Sequence, residues 1–246
     1  MIGALMKLNS PKISIIIPVL NEADYIGKII QYLKINSSPQ NIQEILIVDG
    51  GSTDNTVNVV LDTGVSVLHS EKGRAKQLNL GAKYAQGEIL YFLHVDTLPP
   101  RNFDENIIQG VLEGNHMGCF KMKFDSNSLF LRFFAWFSRV NHKLCRGGDQ
   151  SLFLTKRLFE KSGGFNEDYI VYEDNEFINR LYKLGPFKVL PRHVKTSARR
   201  YEERGTIPLQ CHFGMIHLKH YLGAAPDDLH QYYLKHIAVR SYSNSS

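Results

Sequence analysis

The sequence predicts an α/β fold in which a doubly wound, mainly parallel sheet carries helices on both faces within a single domain. Short apolar segments rich in β-branched residues alternate with segments whose apolar residues recur at helical spacing. Continuously apolar strands that alternate with helices are typical of a parallel sheet covered on both faces. The chain has 246 residues, of which 43% are hydrophobic and 22% charged, and this composition excludes disorder as its main property.

The first part of the chain contains three strand–helix pairs and one further strand. Residues 13–18 are rich in isoleucine and end at Pro18, and the segment that follows repeats its apolar residues every three or four positions. The same alternation recurs twice. Strands are predicted at 13–18, 44–49, 65–68 and 88–96, and helices at 22–34, 54–61 and 74–85.

Beyond about residue 100 the alternation is less regular. Helices are predicted at 102–113, 127–143 and 173–184, strands at 117–124, 150–154 and 186–197, and a further helical pattern at 207–222. No linker rich in Pro, Gly or Ser separates the halves, so we predict one domain over 12–200, divided at about residue 100. Residues 1–11 form an N-terminal extension, and residues 201–246 form a helical basic segment.

The basic charge is concentrated in the last quarter of the chain. The formal net charge is +5, and residues 188–246 carry nine Lys or Arg against four Asp or Glu, whereas residues 1–187 are balanced at 20 each. Six of the ten histidines also lie in this last part. Such a segment suits nucleic acid, an anionic membrane surface or a phosphorylated substrate, and composition does not choose among them.

Cysteine and hydropathy patterns predict a cytoplasmic protein. Three cysteines without C-x-x-C spacing fit neither a disulfide framework nor a zinc site. The N-terminus lacks the pattern of a secretory signal, and no apolar run reaches the ~18 residues of a membrane-spanning helix. The apolar segment 129–137, which Arg132 interrupts, suits a buried helix or an apolar lip that touches a membrane or an apolar acceptor.

Acidic residues and a histidine follow three of the predicted strands. Glu22 follows the first strand, Asp49 ends the second, and His94 and Asp96 end the fourth. Ligands of parallel sheets bind at the carboxyl ends of the strands, so these groups are expected to converge.

The sequence lacks G-x-x-x-x-G-K-[ST] and a G-x-G-x-x-G after the first strand. The pattern indicates instead a Mg²⁺ or Mn²⁺ site, with Asp96 as a ligand of an ion shared with substrate phosphates.

Five segments in this order resemble glycosyltransferase family 2. They are Ile-Ile-Ile-Pro-Val-Leu-Asn-Glu at 15–22, Ile-Val-Asp-Gly-Gly-Ser-Thr-Asp-Asn-Thr at 47–56, Gly-Arg-Ala-Lys-Gln-Leu-Asn-Leu-Gly-Ala at 73–82, Leu-His-Val-Asp-Thr at 93–97 and Tyr-Glu-Asp-Asn-Glu-Phe at 172–177. The resemblance covers residues 12–200 and implies the GT-A nucleotide-diphospho-sugar fold. Gly-Gly-Asp-Gln at 147–150 and Thr-Ser-Ala-Arg-Arg-Tyr at 196–201 are similar to a bacterial subgroup whose acceptors are mostly unassigned.

The resemblance implies a donor site in residues 12–100. It places Pro18, Asn21, Glu22 and Ser52 at the donor, Asp49 against the nucleotide base, and Arg74 at the base or the phosphates. Asp96 matches the last carboxylate of the family's D-x-D metal motif, and His94 stands where the first Asp is expected. His94 either binds the metal, for which imidazole suits Mn²⁺ better than Mg²⁺, or hydrogen-bonds the ribose or a phosphate.

The resemblance also implies catalytic and acceptor residues in the second half. Asp174 matches the carboxylate that takes the acceptor's proton in inverting members, and Glu173 orients its neighbour. Asp149 and Gln150 correspond to contacts with the acceptor or the donor sugar. Arg199 and Arg200 neutralise the diphosphate, although a solvated surface pair is the alternative. For His217 and His220 a partly buried structural role is favoured over metal binding.

The sequence therefore predicts an inverting glycosyltransferase that uses a nucleotide-diphosphate sugar, with UDP favoured over GDP. The acceptor is a hydroxyl or carboxyl group of a lipid, a carotenoid-type acid or a saccharide. The alternatives are a sugar-nucleotide pyrophosphorylase, which requires a Gly-rich loop after the first strand, and a non-catalytic protein that binds anionic ligands. Nucleic acid is not expected as a partner, and peripheral contact with the inner face of the cell membrane is the second use considered for the basic charge.

Overall fold

An eight-stranded mixed sheet forms the centre of the molecule. We describe residues 10–238 in a computed structural model, so the predicted extension 1–11 and the last eight residues lie largely outside the described part. The strands are β1 (Ile13–Val19), β2 (Ile42–Asp49), β3 (Ser66–His69), β4 (Ile89–Phe92), β5 (Thr97–Leu98), β6 (Met117–Phe124), β7 (Leu152–Thr155) and β8 (Lys188–Thr196). Their order in the sheet is β3-β2-β1-β4-β7-β6-β8-β5.

The helices lie on both faces of this sheet, as predicted. They are α1 (Ala23–Asn36), α2 (Thr56–Leu61), α3 (Arg74–Tyr84), α4 (Phe103–Leu112), α5 (Leu129–Trp136), α6 (Lys156–Ser162), α7 (Glu173–Leu184), α8 (Arg199–Arg204), α9 (Thr206–Tyr221) and α10 (Pro226–His236). β1 pairs in parallel with β2 and β4, and β2 with β3, whereas β7 runs antiparallel to β4 and β6. The α/β single-domain prediction is confirmed, and the antiparallel strands belong to its second half.

Alternating side chains of β1 build two separate layers of core. Ile15 and Ile17 pack with residues of α1 and α4 on one face, while Ile16 packs with residues of α3 and α7 on the other. Successive strand residues point to opposite faces, so a fully apolar strand is buried on both sides. A third, smaller cluster joins α9 and α10 to the loop before α7 through Leu209 and Leu229.

Two predicted elements end earlier in the structure. The strand predicted at 88–96 ends at Phe92, because pairing with β1 stops there and residues 94–97 form a turn in which Thr97 N donates to His94 O at 3.1 Å. The helix predicted at 127–143 ends at Trp136 and gives way to 3-10 turns. The backbone leaves the helical conformation at Val140, which is extended, and Arg146 donates to the carbonyls of Ser138 and Val140 beyond the helix end.

Gln77 of α3 ties together the carboxyl ends of β1 and β2. Its side chain is 5% exposed, and its amide nitrogen donates to Val19 O at 2.8 Å and to Val48 O at 2.7 Å. Both carbonyls lie at the ends of the strands, so this one side chain holds the edge at which the predicted site residues meet. The backbone of Gly50 runs close beside it, since a Cβ there would lie 3.0 Å from the Gln77 amide.

Replacing Gln77 by Leu is expected to lower the free energy of unfolding by about 1–3 kcal/mol, because the two hydrogen bonds from its amide to buried carbonyls are lost, although Val19 O keeps the bond from Gly50 N. The measurement is urea denaturation followed by circular dichroism. The control is Gln31→Leu on the exposed face of α1, which should change stability by less than about 0.5 kcal/mol. Equal stability of the Gln77 variant and the wild type would contradict the role given to this residue.

Candidate active site

Ten of the fourteen predicted site residues line one cavity at the carboxyl edge of the sheet. The cavity has a volume of about 550 Å³ and opens between the ends of β1 and β4, the loop before β7, the start of α7 and helices α8 to α10. The ten residues are Pro18, Glu22, Arg74, His94, Asp96, Asp149, Glu173, Asp174, Arg199 and Arg200. Asn21, Asp49, Ser52 and Gln150 are not among its lining residues.

Asn21, Asp49 and Ser52 build the neighbouring loop instead. Asp49 Oδ2 accepts from Gly51 N at 3.0 Å and Ser52 N at 3.1 Å, and Ser52 Oγ accepts from Asn21 N at 2.9 Å. Asn21 has a left-handed backbone with φ 56°, which Asn tolerates better than most residues, and its Oδ1 accepts from Thr53 N at 2.8 Å. This network joins the end of β1 to the loop after β2.

Arg199 bridges two carboxylates that lie far apart in sequence. Its guanidinium contacts Glu22 through two hydrogen bonds of 2.8 and 3.2 Å, and its Nε lies 3.5 Å from Asp96 Oδ2. The same guanidinium stacks over the Tyr25 ring at 4.6 Å. The hydrogen bond and charge of Glu22 are the main reason why the pKa of Arg199 is raised. For Arg199 the alternative of a solvated surface pair is therefore wrong, because its guanidinium makes contacts inside the cavity.

A second arginine holds the start of α7. Arg74 Nη1 donates to Glu173 Oε1 at 2.9 Å, and the Glu173 side chain is only 1% exposed. Burial raises the pKa of Glu173, while the charge of Arg74 opposes that rise. Glu173 therefore anchors the first turn of α7, and with it Asp174, to the start of α3.

The Asp174 carboxylate is held by backbone groups on the cavity wall. Its Oδ2 accepts from Gly148 N at 2.6 Å, and its Oδ1 accepts from Asn175 N at 2.7 Å. Gly148 is required for this approach, since a Cβ there would lie 2.2 Å from Asp174 Oδ2 and 2.9 Å from His94 Nε2. The pair Gly147-Gly148 in the sequence carried a signal for this close contact.

His94 lies between Asp149 and the Gly148 backbone. Its Nδ1 is 3.5 Å from Asp149 Oδ1. Desolvation raises the pKa of Asp149, but His94, Arg200 and Arg74 outweigh it and hold that pKa below its ordinary value. A histidine whose Nδ1 faces a carboxylate can present its other nitrogen to a metal, an arrangement common among metal-binding histidines.

The donor set at this edge fits a divalent cation that is shared with a diphosphate. Mg²⁺ and Mn²⁺ sites of that kind need only one or two protein ligands beside phosphate oxygens, and Asp96 with His94 supplies a carboxylate and an imidazole. Within residues 10–238 no group of three or more His, Cys, Asp or Glu has the arrangement of a complete protein-only metal site. His217 and His220 accordingly belong to no such group.

Gln150 points away from the cavity into a buried network. It is 5% exposed, its Oε1 accepts from Arg146 Nη1 at 2.5 Å, and its Nε2 donates to Cys145 O at 2.6 Å. Arg146 also contacts Cys119 Sγ at 3.2 Å. These contacts support the loop that carries Gly148 and Asp149, so the structure gives Gln150 a supporting position.

The C-terminal helices supply a wall of the cavity that the sequence did not predict. Tyr172, in the left-handed region at φ 74°, hydrogen-bonds His217 Nδ1 at 2.8 Å through its hydroxyl. Burial raises the pKa of Tyr172 to about 12 and lowers that of His217. Further residues of this wall are Gln210, Phe213, His230 and Tyr233. The only sequence signal was the helical spacing at 207–222, which does not reveal which face meets the cavity.

A carboxylate- and arginine-lined cavity at the carboxyl edge of an α/β sheet is typical of enzymes that bind anionic nucleotides. Residues 14–187 match the model of glycosyl transferase family 2, and the chain belongs to that family. Across residues 10–238, every helix is too short or too polar to cross a bilayer.

A curated relative agrees with this family, and two solved structures share the fold. The glycosyltransferase GlyG of Streptococcus pneumoniae is 33% identical over 111 residues, which are 42% of this chain and 36% of GlyG. TarS of Staphylococcus aureus was solved with UDP-GlcNAc. It superposes with a TM-score of 0.63 at 20% identity over 76% of this chain and 58% of the TarS chain. Glucosyl-3-phosphoglycerate synthase of Mycobacterium tuberculosis was solved with Mn²⁺, UDP and glucosyl-3-phosphoglycerate. It superposes with a TM-score of 0.56 at 17% identity over 80% of this chain and 74% of the synthase. The chain thus spans about a third of the length of GlyG.

Replacing Arg74 by Met is expected to cost about 3 kcal/mol of stability, the low end for a buried pair, since Arg74 itself is 38% exposed. Without Arg74 the already raised pKa of Glu173 rises further in the folded state. Folding then requires Glu173 to take up a proton, so the loss of stability grows as the pH increases. The loss measured by urea denaturation should therefore be larger at about pH 8 than at about pH 5.

The control for this experiment is the double variant Arg74→Met/Glu173→Gln, which removes the unpaired charge. It should recover most of the lost stability and show little of this pH dependence. An Arg74→Met variant that loses the same stability at both pH values would show that Glu173 is not the responsible group.

Proposed function

We propose that this protein is an inverting glycosyltransferase that moves a sugar from a UDP-sugar to a hydroxyl or carboxyl group of an acceptor. The observation that carries the proposal is the position of Asp174: its carboxylate lies on the wall of the cavity that Asp96 and His94 also line. A binding protein would need no carboxylate held there by the Gly148 backbone. The family membership of the chain supports the same activity.

The donor nucleotide is proposed to bind where β1 and β2 end. Pro18 and Glu22 line the cavity, and the network of Asn21, Asp49 and Ser52 lies directly beside them in the chain. UDP is proposed as the nucleotide, with the Asp49 carboxylate accepting the ring N–H of uracil; guanine also offers a ring N–H, so this contact alone does not select UDP. TarS with UDP-GlcNAc and the mycobacterial synthase with UDP, which share the fold, support this choice of nucleotide.

The diphosphate is proposed to bind between Asp96, His94 and three arginines. Arg74, Arg199 and Arg200 line this part of the cavity and supply positive charge. Asp96 and His94 would hold the divalent cation, Mn²⁺ or Mg²⁺, which when bound neutralises charge on the leaving diphosphate. Arg199 contacts Glu22 and Asp96 in this structure, so we expect its guanidinium to shift toward the phosphates when the donor binds.

Asp174 is proposed as the base in a single displacement. The acceptor oxygen forms a bond to the anomeric carbon from the face opposite the diphosphate, while the bond from that carbon to the phosphate oxygen breaks and its electron pair leaves with UDP. The acceptor proton passes to an Asp174 oxygen, which makes the acceptor a stronger nucleophile. Glu173 keeps this residue in place through its pairing with Arg74.

The acceptor is proposed to enter on the side formed by the C-terminal helices. Asp149 is half exposed there, and Phe213, His217 and Tyr233 add aromatic surface and a partly buried imidazole. Such a wall suits an acceptor with both polar and apolar parts, in agreement with the predicted lipid, carotenoid-type or saccharide classes. Gln150 would act by supporting the loop of Asp149. A cytoplasmic location stays a prediction.

The variant Asp174→Asn is expected to bind UDP with Mn²⁺ as the wild type does and to lose about 10²- to 10⁴-fold in turnover, because Asn accepts no proton. Hydrolysis of UDP-glucose and UDP-N-acetylglucosamine provides the assay, and calorimetry measures UDP binding. Asp168→Asn, an exposed carboxylate in the preceding loop, is the matched control and should leave turnover unchanged. Unchanged turnover in Asp174→Asn would overturn the assignment of the base.

The variant Asp96→Ala is expected to abolish the Mn²⁺-dependent rise in melting temperature that UDP produces. A ligand that binds only the folded state raises the melting temperature, and this variant loses the carboxylate proposed to hold the ion. Asp125→Ala removes an exposed carboxylate paired with Lys195 and should leave the rise intact. If Asp96→Ala keeps the full rise, the ion binds elsewhere.

A further inference from the structure

Helix α5 and the turn after it expose an unusual number of large apolar side chains. Leu129 is 75% exposed, Phe133 59% and Trp136 52%, and the stripe continues beyond the helix. We call these residues the α5 stripe: Leu129, Phe133, Trp136, Phe137, Val140 and Leu144. Between 129 and 140 they recur at the spacing of one helical face, whereas Leu131, Ala135 and Ser138 form the opposite, buried face.

The aromatic rings of the α5 stripe pack against one another rather than into the core. Phe133 and Phe137 contact edge to face with centroids 5.2 Å apart, and Trp136 and Phe137 do so at 5.5 Å. Rings that already contact each other form a preassembled apolar surface. Exposed apolar surface of this extent marks an interaction site in proteins.

Positive charge surrounds the stripe. Residues 126–148 include four Lys or Arg and no Asp or Glu, and Arg132, Arg139 and Lys143 are exposed. Lys121 and Lys123 of the adjacent strand β6 extend this charge. Burial is the main reason why the pKa of His193 is lowered, and the charges of Arg139, Lys121 and Lys123 lower it further. The surface therefore combines exposed aromatic rings with a group of nearby cations.

We propose that the α5 stripe docks this protein on an anionic lipid bilayer. Aromatic side chains, Trp above all, are favoured at the boundary between headgroups and acyl chains, and flanking Lys and Arg are attracted to anionic lipids. A docked helix of this kind lies in the plane of the membrane interface and does not cross the bilayer. The chain leads from Leu144 to Gly147 in three residues, so the docked surface adjoins the cavity wall. The proposal does not depend on the proposed activity.

Trp136 is the only tryptophan in the chain, so its fluorescence reports on the α5 stripe directly. The probes are vesicles of phosphatidylcholine alone and of phosphatidylcholine mixed with phosphatidylglycerol, used without any nucleotide sugar. The anionic vesicles should shift Trp136 emission to shorter wavelength, bind at least about tenfold more tightly than the neutral ones, and release the protein at high salt. Equal binding to both vesicle types would overturn the proposed charge recognition.

Variants separate the apolar contribution from the charged one. Phe133→Ser/Phe137→Ser should lower cosedimentation with anionic vesicles about tenfold or more, and Arg139→Ser/Lys143→Ser should remove most of the preference for anionic lipid. The matched control is Ile35→Ser/Leu61→Ser, which removes two similarly exposed apolar residues from α1 and α2. It should bind as the wild type does.

Two further outcomes would overturn the proposal. One is undiminished vesicle binding by Phe133→Ser/Phe137→Ser, provided that its circular dichroism and thermal melting match the wild type. The other is light scattering that shows a dimer which the stripe variant abolishes, while the wild type ignores vesicles, since the stripe would then join two copies of the chain. Donor hydrolysis by the same variants is measured separately, so a failure of docking does not imply a failure of the proposed transferase activity.

Discussion

The concentration of carboxylates at one edge of the sheet is the constraint on which the rest of this structure depends. Parallel strands place their carboxyl ends on one side, and the loops around residues 148 and 173 add to the same edge. Like charges in partly desolvated surroundings repel one another, so the edge requires cations nearby. Two arginines meet this need: Arg74 pairs with the buried Glu173, and Arg199 spans Glu22 and Asp96. Both pairs link segments that are distant in sequence and thereby hold the cavity together.

These pairs explain part of the uneven distribution of charge along the sequence. The first 187 residues are balanced and the last part is basic, and Arg199 comes from that basic part. The segment is also more than a source of charge, since α9 and α10 form a wall of the cavity and pack on the loop before α7. Leu209 and Ile216 are buried there, whereas Leu218, Tyr221 and Leu222 of the same segment are exposed, although core packing was expected for all of them. A further exposed apolar surface lies on α5, where the sequence left a buried helix and an apolar lip as alternatives.

Local patterns predicted the first half of the fold better than the second. The strands and helices before residue 85 agree with their predicted positions to within a few residues, because each strand is apolar throughout and each helix has a clear period. The helix at 127–143 was predicted too long, because the chain turns into a 3-10 helix after Trp136 and is extended at Val140, although its apolar spacing continues. Helices α6 and α8 and the two-residue strand β5 were missed, because they lie outside the regular alternation of strands and helices, which ends with β4.

The sequence alone determined most of the strands and helices, the family, and ten of the residues that line the cavity. It could do so because apolar periodicity specifies elements locally, and because parallel strands put their ends on one side. Only the tertiary structure decided how these residues pair. Arg199 pairs with Glu22 and Asp96, and Gln150 hydrogen-bonds inside the protein. Gly148 contacts Asp174, and Tyr172 hydrogen-bonds His217. Each of these contacts joins side chains through the packing of separate elements, which no local pattern contains.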